Sequence, residues 1–170
     1  MVCYTSGRHC LRRYRSGVRL PLESCVLMDW KKQVGALPVR TEKSGALRIM
    51  LVTSRETRRL VIPKGWPWPG VKDHKAAAEE AREEAGILGR IGKKPVGSYT
   101  YDKRRTNGSV PVRVKVKVFL LEVVEELEEW PEKDERVRKW LTPAKAAEVV
   151  AEPELAELIL EVAAELRAKG

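Results

Sequence analysis

The chain has 170 residues, of which 43% are hydrophobic and 34% charged, so it suits one globular domain and excludes a disordered chain. No run of about 18 apolar residues is present, and we expect no membrane-spanning helix. The net charge of +9 is uneven: residues 1–121 carry 26 Lys and Arg against 10 Asp and Glu, whereas residues 122–170 carry 7 against 14. This asymmetry predicts an N-terminal surface for anions, either a phosphorylated metabolite or nucleic acid, with solvated surface charge as the alternative.

The first 30 residues differ from the rest of the chain. They contain five arginines, only two acids and all three cysteines, Cys3, Cys10 and Cys25. An odd number of cysteines confined to this segment suits a reducing cytosol rather than a disulfide framework, so we predict a cytoplasmic protein. The arginine-rich start is also typical of a transit peptide, but it has no apolar face. We interpret residues 1–30 as a basic N-terminal extension and residues 31–170 as the folded domain.

The first half of this domain predicts three strands and one helix. The strands are expected at residues 34–39, 47–52 and 60–63, with a glycine-containing turn between the first two. Residues 64–73 combine tryptophans, prolines and glycines, which indicates a loop with a fixed backbone. A helix is predicted over residues 74–85, with Asp73 as its N-cap and Gly86 just beyond its end.

The second half predicts strands followed by helices. Valines alternate with Arg113, Lys115 and Lys117, the pattern of a half-buried strand. Thr142 and Pro153 are typical residues for the starts of two C-terminal helices. The expected elements are strands 96–102 and 110–124 joined by a hairpin loop, an acidic loop 125–135, a strand 137–141, and helices 143–150 and 153–169. This order favours a mixed sheet packed between helices.

Four glutamates crowd one side of the predicted central helix: Glu79, Glu80, Glu83 and Glu84. At 100° per residue the last three fall within one 100° arc. Like charges four residues apart repel one another on a helix, so a bound cation explains the stripe better than solvent does. All-oxygen ligands favour Mg²⁺ or Mn²⁺. The alternative is a solvated helix rich in alanine and glutamate.

The segment from Ile62 to Ile87 resembles the Nudix box, G-x5-E-x7-R-E-U-x-E-E-x-G-U, in which U is aliphatic. The positions that match are Gly65, Glu80, Glu83, Glu84, Gly86 and Ile87. Val71, Glu79 and Ala81 depart from the pattern, since they stand in place of a Glu, an Arg and an aliphatic residue. In the family that Glu and Arg form a structural ion pair, and here both are absent together, which leaves neither partner unpaired.

The resemblance implies a fold and a chemistry. The expected fold is α+β, an α/β/α sandwich around a mixed β-sheet, and the expected activity is hydrolysis of a phosphoanhydride. Glu80, Glu83 and Glu84 would hold Mg²⁺, or Mn²⁺, with the backbone carbonyl of Lys64 as a further ligand. The general base would be Glu83 or a second acid outside the box, such as Glu122 or Glu126.

Residues 123–141, with their acidic Trp130 loop and Arg138-Lys139-Trp140, resemble the diphosphoinositol polyphosphate phosphohydrolase branch of this family. Members of that branch hydrolyse diphosphoinositol polyphosphates and dinucleoside polyphosphates. The candidate substrate-binding residues are Arg40, Arg48, Lys64, Gly65, Lys103, Arg104 and Arg105, because arginine forks match phosphate oxygens. Trp66 and Trp68 are expected to close a hydrophobic loop, with base stacking as the alternative.

The expected substrate is therefore a small polyphosphate metabolite, and no membrane partner or oligomeric state is predicted. Two other functions stay open. One is an RNA 5′-end pyrophosphohydrolase, which the basic N-terminal two thirds favour. The other is a non-catalytic binding or regulatory module on the same fold, which the altered Arg position of the box favours and the retained glutamates disfavour.

Overall fold

The sequence folds into strands and helices over two described segments of a computed structural model, residues 30–103 and 111–169. Nearly all of the predicted N-terminal extension, and Arg104 and Arg105, lie outside these described residues. The elements are β1 (Lys31–Thr41), β2 (Leu47–Thr53), β3 (Leu60–Val61), β4 (Lys64–Gly65), α1 (Asp73–Ala85), β5 (Ile87–Lys103), β6 (Val112–Glu126), β7 (Arg138–Leu141), α2 (Pro143–Val149) and α3 (Pro153–Lys169).

The strands form one mixed sheet in the order β3-β2-β1-β6-β5, with β4 paired to β1 and β7 to β2. β1 and β6 run parallel from the Lys31↔Val114 pair to the Val39↔Glu122 pair. The other pairings are antiparallel. β1 is central and is buried continuously from Gln33 to Val39, because helices cover both faces of the sheet.

Two hydrophobic layers sit on opposite faces of the sheet. Because side chains alternate along a strand, neighbouring residues of β1 such as Ala36 and Leu37 belong to different layers. The layer with Leu37 packs against α2 and α3 through Ala146, Leu155 and Ile159. The opposite layer packs against the alanines of α1, which are Ala76, Ala77, Ala81 and Ala85. The predicted α/β/α sandwich is confirmed.

The structure confirms the predicted roles of Gly86 and Thr142 at helix ends and corrects the predicted role of Asp73. Gly86 ends α1 in the left-handed conformation with φ 58°, and the Thr142 side chain accepts a hydrogen bond from the backbone N–H of Lys145, as predicted. The prediction that Asp73 caps α1 was wrong, since Lys72 occupies that position and Asp73 is the first helical residue. Its carboxylate instead pairs with Lys117 on β6, a stronger electrostatic partner than a backbone amide.

The strand after α1 begins earlier than expected. β5 starts at Ile87, directly after Gly86, rather than at residue 96. The pairing of β5 with β6 is irregular near Gly89, Pro95 and Gly97. Glycine and proline are uncommon in regular strands but are found at such irregularities, which is why the sequence did not predict a strand here. β6 reaches Glu126, so the acidic loop is shorter than predicted. Among the described residues no helix is long and apolar enough to cross a membrane.

Candidate functional site

Gly65 of β4 lies directly against the side chain of Glu80 on α1. β4 is held against β1 by the pairs Val34↔Gly65 and Gly35↔Lys64, which sets its distance from α1. The Glu80 carboxylate occupies the space where a side chain at position 65 would begin. The backbone of Gly65 has no positive φ, so glycine is required here for space rather than for conformation.

Glu84 is the most deeply buried of the box glutamates, with 7% of its surface exposed. Its Oε2 accepts a hydrogen bond of 3.0 Å from the backbone N–H of Lys64. Its Oε1 accepts one from Nη2 of Arg136, with which it forms a buried ion pair. Both carboxylate oxygens therefore have protein donors, which fixes the orientation of this side chain.

Arg136 connects α1 to the end of β2 and to the loop before β7. Its guanidinium also donates to Oε2 of Glu132 and, over 3.0 Å, to the carbonyl oxygen of Thr53 at the end of β2. The Thr53 hydroxyl in turn accepts from the backbone N–H of Val137 at 2.9 Å. Glu84, Glu132 and Thr53 thus share one buried cation.

The site concentrates negative charge. The pKa of Glu80 is raised to about 7, chiefly by burial and then by the neighbouring carboxylates of Glu84, Glu83 and Glu132. Burial also raises the pKa of Glu84, against the opposing effect of Arg136 and Lys64. The pKa of Lys64 is lowered, again chiefly by burial. Such shifts mark a place where a bound cation would stabilise the ionised carboxylates.

The oxygen donors fit a hard divalent cation. Glu80 is half-buried, and within the described residues it makes no hydrogen bond or ion pair, whereas Glu83 is 37% exposed at its side chain and lies 3.6 Å from Arg82. In the described part of the chain no three acidic, histidine or cysteine side chains already converge on one point. The carboxylates of Glu83 and Glu84 repel that of Glu80, and Glu84 is held by the Lys64 backbone and by Arg136.

Two cavities lie beside the loop that follows Gly65. The smaller, about 380 Å³, is lined by Lys31, Trp66, Lys103 and Val112, and the Lys103 ammonium stands 5.2 Å from the centre of the Trp66 ring. The larger, about 520 Å³, is lined in part by Lys32, Lys115 and Lys117 and does not include the glutamates. Trp66 and Trp68 are 43% and 41% exposed, so they are not enclosed in a hydrophobic loop as expected.

Arg40 and Arg48 are engaged elsewhere. Arg40 pairs with Glu126 at 2.6 Å and stacks 4.0 Å from the Trp140 ring, and Arg48 pairs with Glu42 at 2.9 Å. Arg40 lies six residues along β1 from Val34, the partner of Gly65, a distance of roughly 20 Å in a strand. The structure therefore does not bring these two arginines to the glutamates, and as phosphate ligands they stay predictions.

The two acids outside the box that were candidates for the general base are also paired with arginines. Glu126 is held by Arg40, and Glu122 pairs with Arg90 at 3.1 Å. Glu132 is instead the acid from outside the box that contributes to the shifted pKa of Glu80. Sequence reasoning missed Glu132 and Arg136 as site residues, because they are two charges in an acidic, arginine-containing stretch. The resemblance around Trp130 and Trp140 was the signal that pointed to this stretch.

Comparisons with known proteins place the chain in a family. No protein-family model matches it. It is 30% identical over 142 residues to the mitochondrial Nudix hydrolase 13 of Arabidopsis thaliana, covering 81% of this chain and 70% of that one. It is 28% identical over 123 residues to diphosphoinositol polyphosphate phosphohydrolase 3-alpha of Mus musculus, covering 71% and 70%.

The fold agrees with this relationship. The crystal structure of the Ap4A hydrolase of C. elegans superimposes with a TM-score of 0.59 at 21% identity, over 81% of this chain and 98% of that one. At 21% identity this similarity shows the fold alone, whereas family membership is inferred from the relatives that are 30% identical in sequence. The chain belongs to the Nudix hydrolases, enzymes that cleave phosphoanhydride bonds.

Proposed function

We propose that this enzyme hydrolyses a diphosphate linkage in a small polyanionic metabolite, such as a dinucleoside polyphosphate or a diphosphoinositol polyphosphate, and that it depends on Mg²⁺ or Mn²⁺. The proposal rests on the position of the Glu80 carboxylate. A half-buried carboxylate rests against Gly65 and makes no hydrogen bond or ion pair within the described residues, while Glu83 and Glu84 repel it and only Lys64 opposes them. A divalent cation supplies the missing positive charge.

The box residues then supply both metal ligands and a proton acceptor. Glu80, Glu83 and the Lys64 carbonyl would be ligands, and Glu84, anchored on one side by Arg136, would complete the set. The metal, when bound, polarises the diphosphate and lowers the pKa of water. Glu83 is our candidate for the residue that accepts the proton of the attacking water, because its side chain is exposed and not anchored by a buried partner.

Basic residues near the box would hold the rest of the substrate. Lys103 and Trp66 line the smaller cavity, directly beyond Gly65. Arg55 is 57% exposed at its side chain and lies 3.4 Å from Glu132, beside the glutamates. A guanidinium so placed can turn from a carboxylate to a phosphate at little cost, because exposed ion pairs are weak. Arg104 and Arg105 lie outside the described residues, and as phosphate ligands they stay predictions.

The known activities in the names of two related proteins support both metabolite classes. One mouse relative is a diphosphoinositol polyphosphate phosphohydrolase, and one structural neighbour is an Ap4A hydrolase. An inositol polyphosphate offers only phosphates to the basic residues, whereas a dinucleoside polyphosphate also offers a base to the exposed Trp66 ring. Replacing Trp66 with leucine therefore distinguishes the classes, since only the KM for a nucleotide substrate should rise.

The alternative of an RNA 5′ end has one observation in its favour. Arg113, Lys115 and Lys117 form an exposed row along β6, and the last two line the larger cavity with Lys32. Such a row extends the positive surface beyond the size of a small metabolite. If RNA is the substrate, the binding constant should fall steeply with salt concentration, by several logarithmic units per tenfold increase.

The decisive experiment is phosphate or nucleotide release with Mg²⁺ from diadenosine polyphosphates, a diphosphoinositol polyphosphate and 5′-triphosphate RNA. Glu83→Gln and Glu84→Gln are run beside Glu161→Gln, an exposed glutamate of α3. We expect turnover of one class that falls by orders of magnitude in the two site variants and not in the third. If the protein binds these substrates but hydrolyses none of them, the proposal is contradicted and the chain is a binding module.

We further propose that residues 31–170 form the catalytic domain, that residues 1–30 are an extension, and that the protein acts in the cytoplasm. The composition of the first 30 residues supports this proposal. Several relatives are named as mitochondrial, so the alternative location is concrete. Subcellular fractionation of the full chain tests it, and recovery in the mitochondrial fraction would contradict it.

A further inference from the structure

Arg136 is the one arginine among the described residues that is buried, with 7% of its surface exposed. Its three donor nitrogens reach three different parts of the fold: Glu84 on α1, Thr53 at the end of β2, and Glu132 in the loop before β7. A guanidinium is planar and presents its donors as a rigid fork, so it can hold three acceptors at fixed angles. A lysine at the same place would keep the charge but not the geometry.

Glu84 needs an anchor of this kind. Glu80 stands one helical turn before it, and Glu83 is its neighbour on the same face, so repulsion would turn a free Glu84 carboxylate towards solvent. The positions at which the Nudix box carries an ion pair hold Val71 and Glu79 in this chain. Glu79 instead pairs with Arg82 on its own helix, a contact that does not reach beyond α1.

We propose that Arg136 is a positioning residue for the metal site, one that fixes the Glu84 carboxylate from outside the box and is itself held by Glu132. This inference rests on the proposed function, because it assumes that Glu84 belongs to a metal site. The charges support it, since the burial that raises the pKa of Glu84 is opposed first by Arg136. Arg136 is not expected to touch the substrate, and it acts through Glu84.

The test compares Arg136→Lys with Arg138→Lys, the same substitution two residues further on. Arg138 is also partly buried, but it donates to the backbone carbonyls of Ala85, Gly86 and Leu127 and packs on the Trp130 ring. Both variants keep the charge, and both lose hydrogen bonds that support α1. They differ in that only Arg136 contacts a box carboxylate.

The readouts are Mn²⁺ binding measured by electron paramagnetic resonance, Tm without metal, and kcat and KM with Mg²⁺. We expect Arg136→Lys to weaken Mn²⁺ binding by about 10–100-fold and to lower kcat, while the substrate KM changes little. Arg138→Lys should lower Tm and leave Mn²⁺ binding within about twofold of the wild type. Glu132→Gln, which loosens Arg136 without removing it, should weaken Mn²⁺ binding by an intermediate factor.

Equal loss of Mn²⁺ affinity in the Arg136 and Arg138 variants at equal Tm would overturn the inference, since Arg136 would then be a purely structural residue. Unchanged Mn²⁺ affinity in both Arg136→Lys and Glu132→Gln would overturn it too. A wild-type protein that binds no Mn²⁺ would overturn the proposed function, and this inference with it. The three results are distinguishable because the wild type is measured first.

Discussion

Replacing Gly65 with alanine should abolish most activity while leaving the fold intact. The new Cβ would occupy the position of the Glu80 carboxylate, so that side chain must rotate away from its seat. Gly65 has no positive φ, so alanine adds no backbone strain. The displaced group is the end of a flexible side chain, and a Gly→Ala change at a compatible site restricts the unfolded chain, so the free energy of unfolding should change by less than about 1 kcal/mol.

The activity should respond far more strongly than the stability. Moving a ligand by about 1 Å can lower the rate about 100-fold, equivalent to about 2.7 kcal/mol in the activation barrier. The assays are phosphate release at saturating Mg²⁺ and urea unfolding without metal. If the variant keeps kcat within about twofold of the wild type, activity does not require the Glu80 carboxylate to lie against Gly65, and the reasoning is refuted.

Gly97→Ala is the matched control for this prediction. Its Cβ would stand 2.6 Å from Cδ1 of Leu158, a residue of α3 in the packed hydrophobic layer. Overpacking of this kind lowers the free energy of unfolding by about 1–3 kcal/mol. The control should therefore lose stability and, at temperatures where it stays folded, keep its kcat. Loss of stability in both variants would show that position 65 acts through the fold.

Three further predictions concern charge and conformation. The pKa of Glu80 is raised from 4.5 to about 7, so in the metal-free protein its contribution to stability is fully present below pH 4.5 and is lost as the pH rises through 7. Mg²⁺ needs the ionised carboxylate, so the rise in Tm that Mg²⁺ causes should grow between about pH 6 and pH 8, and a constant rise would contradict this. Arg59→Met should lower the free energy of unfolding in urea by about 1–3 kcal/mol, because it leaves the buried Glu152 without its 2.8 Å partner; an unchanged midpoint would show that Glu152 is otherwise satisfied. Gly86→Ala should lower it by at least about 1 kcal/mol, since φ is 58° and the Cβ would meet the Trp130 ring at 2.6 Å, and a Tm equal to that of the wild type would contradict this.

Several features were predictable because they depend on residues close together in the chain. The spacing of Glu80, Glu83 and Glu84 specifies one helix face whatever the helix packs against. Gly86 ends that helix because it adopts the left-handed conformation without strain. The alternation of Val114 and Val116 with Lys115 and Lys117 predicted a half-buried strand, and the burial of the valines confirms it.

Other features were decided by tertiary structure, because their partners are distant in the chain. Arg136 and Glu84 are 52 residues apart, and no local pattern distinguishes Arg136 from the neighbouring Arg138. Arg40 was a reasonable phosphate ligand by residue type, but the register of β1 directs it to Glu126, 86 residues away. The sequence by itself thus determined the carboxylates and their helix, since helical periodicity is local. Only the packed sheet decided which cation each carboxylate meets, since charges interact according to distance in space rather than along the chain.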